Sequence, residues 1–178
     1  MGVTTLAHGA SSSVSIADTA PMGMTSNNDF RIQKDRLAAV LVTVGGERLA
    51  GELFVQASPR NRYGREEAAD ILNSAEPFFP MLMNDGALFI VAKDRVRELE
   101  SRDPMPVEEW QIGAPATIEV VLTGGAVHTG NVYLESLNGR TRVLDYLNRV
   151  GERFLLLYTA RGTVLLNRSL IERVHPLD

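Results

Sequence analysis

One stretch of this chain is written twice. Val42-Thr-Val-Gly-Gly-Glu-Arg-Leu-Ala-Gly-Glu-Leu-Phe-Val55 returns as Val121-Leu-Thr-Gly-Gly-Ala-Val-His-Thr-Gly-Asn-Val-Tyr-Leu134, and each copy leads to an Asp-x-Leu-Asn step, Asp70–Asn73 and Asp145–Asn148. From that step onward the copies register at a constant spacing of 75 residues, which sets Phe79 against Phe154, Met81 against Leu156, Ile90 against Leu165, Lys93 against Arg168 and Leu99 against Val174. A period this long specifies two small globular units, not a fine solenoid. Each unit is roughly 65–75 residues, a size at which a lone core is marginal. Packing of unit on unit, or of chain on chain, follows as an expectation.

The order of signals is the same in both copies. An aliphatic strand, Leu37–Val44 or Ala116–Thr123, meets a Gly-Gly pair (Gly45-Gly46, Gly124-Gly125). Such pairs mark tight hairpins because the turn needs positive φ. The return strand, Glu47–Ala57 or Ala126–Glu135, carries an interior glycine, Gly51 or Gly130, the usual mark of a bulge or sharp bend. A short helix follows, about Arg65–Leu72 and Thr141–Leu147, with Ala68, Ala69 and Leu72, then Val143, Leu144 and Leu147, on one face. Thr141 suits the N-cap, and Asn73 and Asn148 suit the helix ends because Asn tolerates the left-handed conformation. A second hairpin and a short closing strand, near Arg95–Leu99 or Leu170–His175, complete the unit.

This order predicts a mainly β chain of two tandem five-stranded SH3/Sm-like small barrels, each with one short inserted helix. Closing a small sheet removes the edges it would otherwise expose. The division reads as a disordered tail over 1–29, a first barrel over 30–99, a linker over 100–115 and a second barrel over 116–178. The tail is rich in Ser, Thr, Ala and Gly without apolar periodicity. The linker is charged, holds Pro104, Pro106 and Pro115, and has Trp110 as its one large apolar residue.

Function is bounded mostly by exclusion. A net charge of -4 and the absence of cysteine argue against a generally basic nucleic-acid coat and exclude disulfide or thiolate metal chemistry. His8, His128 and His175 are the only histidines, and none is spaced for a metal or a triad, so His128 reads as a surface residue. No phosphate loop, nucleophile elbow or zinc-protease motif occurs. Asp70 and Asp145, kept in both copies, read as structural carboxylates that bind backbone donors or pair with an arginine, as Arg142 could with Asp145. These features predict no enzyme, no metal and no cofactor. Apolar runs are only strand-length, and residues 1–29 carry no Lys or Arg, so the expectation is a cytoplasmic chain without a membrane span.

The sharpest polar signal is a pair of arginines, Arg65 and Arg140, placed just before the two helices, where backbone N–H groups favour an anion. Glu66 and Glu67 oppose it. The closing segments add a resemblance. Leu166-Asn-Arg-Ser-Leu-Ile-Glu-Arg-Val174 and, more loosely, Val91-Ala-Lys-Asp-Arg-Val-Arg-Glu-Leu99 resemble the second motif of Sm-like proteins, with Ser169 and Asp94 at the family's glycine. The resemblance implies a small barrel and maps the RNA-contacting basic residue of that family onto Arg168 and Lys93. The whole repeat unit also resembles a bacterial domain family of unassigned function. The reading is therefore a non-enzymatic interaction or assembly module, with a protein partner or self-association. Its rival is an RNA, nucleotide or anion binder using Arg65, Arg140, Lys93 and Arg168.

Overall fold

A computed structural model describes residues 34–56, 67–102, 113–134, 142–149 and 151–177. The tail, most of the linker with Trp110, and the loops before both helices lie outside the described residues. The elements are β1 (Lys34–Thr43), β2 (Arg48–Gln56), α1 (Ala68–Asn73), β3 (Phe78–Met83), β4 (Leu88–Ala92), β5 (Val96–Ser101), β6 (Ala114–Leu122), β7 (Val127–Leu134), α2 (Val143–Arg149), β8 (Phe154–Thr159), β9 (Gly162–Asn167) and β10 (Ile171–Pro176). A single 3₁₀ turn precedes each closing strand, at Lys93–Arg95 and Arg168–Leu170. The ends of the expected linker are thus strand: Glu100 and Ser101 finish β5, and Ala114 and Pro115 begin β6.

The strands form one ten-stranded antiparallel sheet ordered β10-β6-β7-β8-β9-β5-β1-β2-β3-β4. This corrects the expectation of two separately closed barrels, because the hydrogen-bonded ladder stays open. The physical reason is the seam. β5 pairs with β9 through Glu98↔Leu166, Leu99↔Leu165, Glu100↔Val164 and Ser101↔Thr163, so an edge from each half is satisfied by the other. The order within the first five strands, β5-β1-β2-β3-β4, recurs as β10-β6-β7-β8-β9.

Two apolar clusters lie along the sheet. The first holds Leu37, Leu41, Leu53, Val55, Leu72, Phe79, Met81 and Leu99, and the second Ile118, Val120, Val132, Leu134, Leu155 and Leu157. Each fully buried aliphatic contributes about 1.5–3 kcal/mol. Phe154 and Leu165, from the second half, are buried in the first cluster, while Leu155, Leu157, Val164 and Leu166 face the second. The β8–β9 hairpin is thus apolar on both faces, which its continuous Phe-Leu-Leu-Leu and Val-Leu-Leu runs demand.

The register revises two correspondences, those of Phe79 with Phe154 and Met81 with Leu156. Phe78 pairs with Ala92, and Phe154 with Asn167. Asn167 keeps the 75-residue spacing from Ala92, but Phe154 stands at Phe78's place in its hairpin, not Phe79's. Leu155 then matches Phe79, and Leu157 matches Met81, all four buried. The second copy has one extra residue before β8 and a hairpin loop one residue shorter.

Of the bulge or bend expected at the interior glycines, the bulge is absent from the β1–β2 and β6–β7 ladders. The β1–β2 pairing runs through Gly51 without a shift. Gly51 instead admits a close backbone approach: a Cβ there would lie 2.2 Å from the Leu82 carbonyl oxygen. Gly130 does the same opposite the Tyr158 carbonyl, at 2.8 Å. The expected positive φ holds at Gly46, Gly124 and Gly125 but not at Gly45. Asn73 does not end α1 through the left-handed conformation. The chain leaves the helix at Ser74 in extended backbone, φ -64 and ψ 162.

Candidate interaction surface

The seam shows what these strands require when paired. Around the β5–β9 ladder, Asn167 Nδ2 donates to the Val96 carbonyl (2.8 Å), and the Ser101 and Thr163 hydroxyls meet at 2.8 Å. At the end of α1, Asn73 Oδ1 accepts from the Phe154 N–H (2.8 Å) and Asn73 Nδ2 donates to the Phe154 carbonyl (3.3 Å). The Asn73 amide thus grips the backbone N–H and C=O of one residue of β8, and α1 packs on that strand. Glu98 is buried at the seam, accepting from His128 Nε2 (2.8 Å) and from Arg97 (3.3 Å). Burial alone would raise the Glu98 carboxyl, but the hydrogen bonds from His128 and Arg97 outweigh it and hold the group below the ordinary carboxylate value. His128, read as a surface residue, is therefore part of the join between halves, its side chain 17% exposed.

β4 and β10 end the sheet, and among the described residues neither has a second neighbour. In β4, Leu88, Phe89 and Ile90 are 57%, 43% and 65% exposed, and Phe78 on the adjoining β3 is 54% exposed. Their counterparts in the second half are Thr163, Val164, Leu165 and Phe154, all buried. The same hairpin is thus covered in one half and open in the other. β4 is short, but it carries no proline and no charged side chain to discourage strand addition.

Two of the four basic residues expected from sequence, Lys93 and Arg168, lie among the described residues. Arg65 and Arg140 lie outside the described residues. Lys93 is fully buried, and its Nζ donates to the Ser74 carbonyl (3.0 Å) and Ser74 Oγ (2.7 Å) just past α1. Desolvation lowers its pKa, opposed by nearby Glu76. Arg168 donates to the Leu147 carbonyl in α2. Both cations thus bind carbonyls at helix C-terminal ends, where the dipole favours them. Asp70 accepts from the Glu67 N–H (2.9 Å) in a capping box, the backbone role expected of it, while Asp145 is exposed.

A cleft of about 900 Å³ lies where β1, β2 and β5 approach the β8–β9 turn, with Asn84, Glu100, Arg102 and Arg161 among its polar lining. Its lining contains no histidine, and no group of three or more metal-ligating side chains occurs among the described residues. No helix among them is long and apolar enough to cross a membrane. The chain matches no protein-family model, no curated protein and no solved structure.

The β4 edge is not among the site residues expected from sequence. Its signal was present: Leu88-Phe89-Ile90-Val91-Ala92 does not alternate, and an uninterrupted apolar strand is one built to be covered on both faces.

Proposed function

We propose that this chain is a non-enzymatic assembly module built from two duplicated units, each a five-stranded sheet curled around its own apolar cluster in the manner of a small SH3/Sm-like barrel. The recurring strand order and the two clusters support the duplicated-unit reading. The module works by strand addition at β4, where backbone groups supply affinity and side-chain positions supply selectivity. One observation carries this reading: Phe78, Phe89 and Ile90 are exposed, whereas their counterparts in the other half are buried by a paired neighbour. An apolar strand edge of this kind is a docking surface for a protein, because a nucleic acid would call for exposed cations. Lys93, one of the two basic residues suggested by the Sm-like resemblance, is fully buried.

The test is a photoreactive amino acid placed at position 90 in cells, with position 44, another exposed apolar site, as control. Protein adducts at 90 and none at 44 are expected. Absence of adducts at 90, together with an absorbance ratio showing co-purified nucleic acid, would replace the assembly reading with the RNA-binding one.

A further inference from the structure

We propose that the protein occupying β4 is a second copy of this chain, and that copies associate head to tail by pairing β4 of one with β10 of the next. This inference rests on the assembly reading above and names its partner. The internal seam already displays the contact. There the first half supplies β5 and α1, and the second half supplies the β8–β9 hairpin. Among the described residues the same two surfaces recur, unoccupied by each other, at opposite ends of the sheet. The second half presents β10 and α2, and the first half presents the β3–β4 hairpin.

Transferring the internal register by the 75-residue spacing that separates Glu98 from Arg173 and Val91 from Leu166 gives the pairs Arg173↔Val91, Val174↔Ile90, His175↔Phe89 and Pro176↔Leu88. The backbone is oriented for this ladder. Leu177 N–H bonds the Thr117 carbonyl, so in the alternating antiparallel pattern Arg173 and His175 direct their N–H groups to β6 and Val174 directs its own outward. On the other side Met83 N–H bonds the Ala87 carbonyl, which leaves the Ile90 N–H facing outward from β4. Val174 and Ile90 therefore form the central hydrogen-bonded pair, as Leu99 and Leu165 do inside the chain. Pro176 lacks a donor, so the ladder loses one bond at that end.

Side chains repeat the pattern. Phe154 and Leu165 are buried in the neighbouring cluster, and their counterparts Phe78 and Ile90 are 54% and 65% exposed. The Asn73 amide grips the Phe154 backbone N–H and C=O, and its counterpart Asn148 is exposed on α2. In the next copy the backbone it would grip is that of Phe78. α2 also exposes Leu144 (65%) and only half-buries Leu147, whereas Leu72 in α1 is fully buried. Among the described residues, no strand covers the second helix as β8 covers the first. Because the two surfaces differ, the contact is heterologous, and repetition closes a ring or extends a filament.

The test is the mass in solution of the full chain and two edge variants, each checked for folding by circular dichroism. Wild type should exceed the single-chain mass of 19.5 kDa across a dilution series. Ile90→Lys, at an exposed position, and Val174→Pro, which removes the outward N–H, should each run as one chain. If Val174→Pro fails to fold, since Val174 also packs on the second cluster, His175→Glu, at an exposed position opposite Phe89, is used instead; His175→Pro is not a substitute, because that N–H serves β6. Mixing the two variants should yield a one-to-one dimer and nothing larger, because one intact β4 and one intact β10 remain. A wild-type monomer, variants of unchanged size, or a mixture that stays monomeric would overturn head-to-tail pairing. A variant that dimerises alone would show an isologous contact and also overturn it. Should wild type be monomeric while position 90 still cross-links to a different protein, self-association fails and the assembly reading survives.

Discussion

Glu98 and Gly51 show how single residues hold this sheet together. Glu98 ionises more readily when folded than its ordinary value of 4.5, owing to His128 and Arg97 acting against burial. A carboxyl depressed on folding contributes stability that is fully present above the unfolded value and is lost as pH falls through the folded one. Denaturant melts should therefore show wild type losing stability below about pH 4.5, more steeply than Glu98→Gln. An identical acid limb in both proteins would remove Glu98 from the account. At Gly51 the neighbour is backbone, so it cannot swing aside. Gly51→Ala should cost about 3 kcal/mol or more, by urea melt, and Gly130→Ala less, since its added methyl would sit 2.8 Å from a carbonyl instead of 2.2 Å. Equal costs would mean that β2 moves away from β3 freely.

At the scale of elements, the helices separate what composition could show from what it could not. Both were legible as short helices after each return strand, from their apolar spacing and the Asp-x-Leu-Asn step. Their burial was not legible, because it depends on which strand lies across them. α1 meets β8 of the other half; among the described residues no strand packs on α2 to that extent. Leu72→Ala should thus destabilise by about 2–4 kcal/mol, and Leu147→Ala by less, about 1–2 kcal/mol, in equilibrium denaturation of the dissociated chain. Equal losses would show that α2 is covered as fully as α1. The hairpins tell a related story. Phe154 resembles Phe79 on the page, and only strand pairing reveals that an extra residue before β8 places it opposite Phe78.

For the whole molecule, the seam decides cooperativity. Paired backbone, the Asn73 and Asn167 amides and Phe154 buried in the first cluster couple the halves. The described chain should unfold in one transition, with β5 and β9 amides exchanging hydrogen only through global opening. Asn73→Ala should lower that transition by about 1–3 kcal/mol, since it leaves the backbone groups of buried Phe154 without their partner. Two separate transitions in wild type would mean that the halves fold independently. The chain's own pattern determined the strands, most of the turn glycines and the mainly β class, because these rest on local φ requirements and on apolar alternation within a few residues. It also determined that β4 and β9 are strands apolar on both faces. Which of them would be covered was decided only in tertiary structure. That choice depends on a pairing between strands far apart in the sequence, and one chain supplies the covering neighbour for β9 while leaving β4 at the edge.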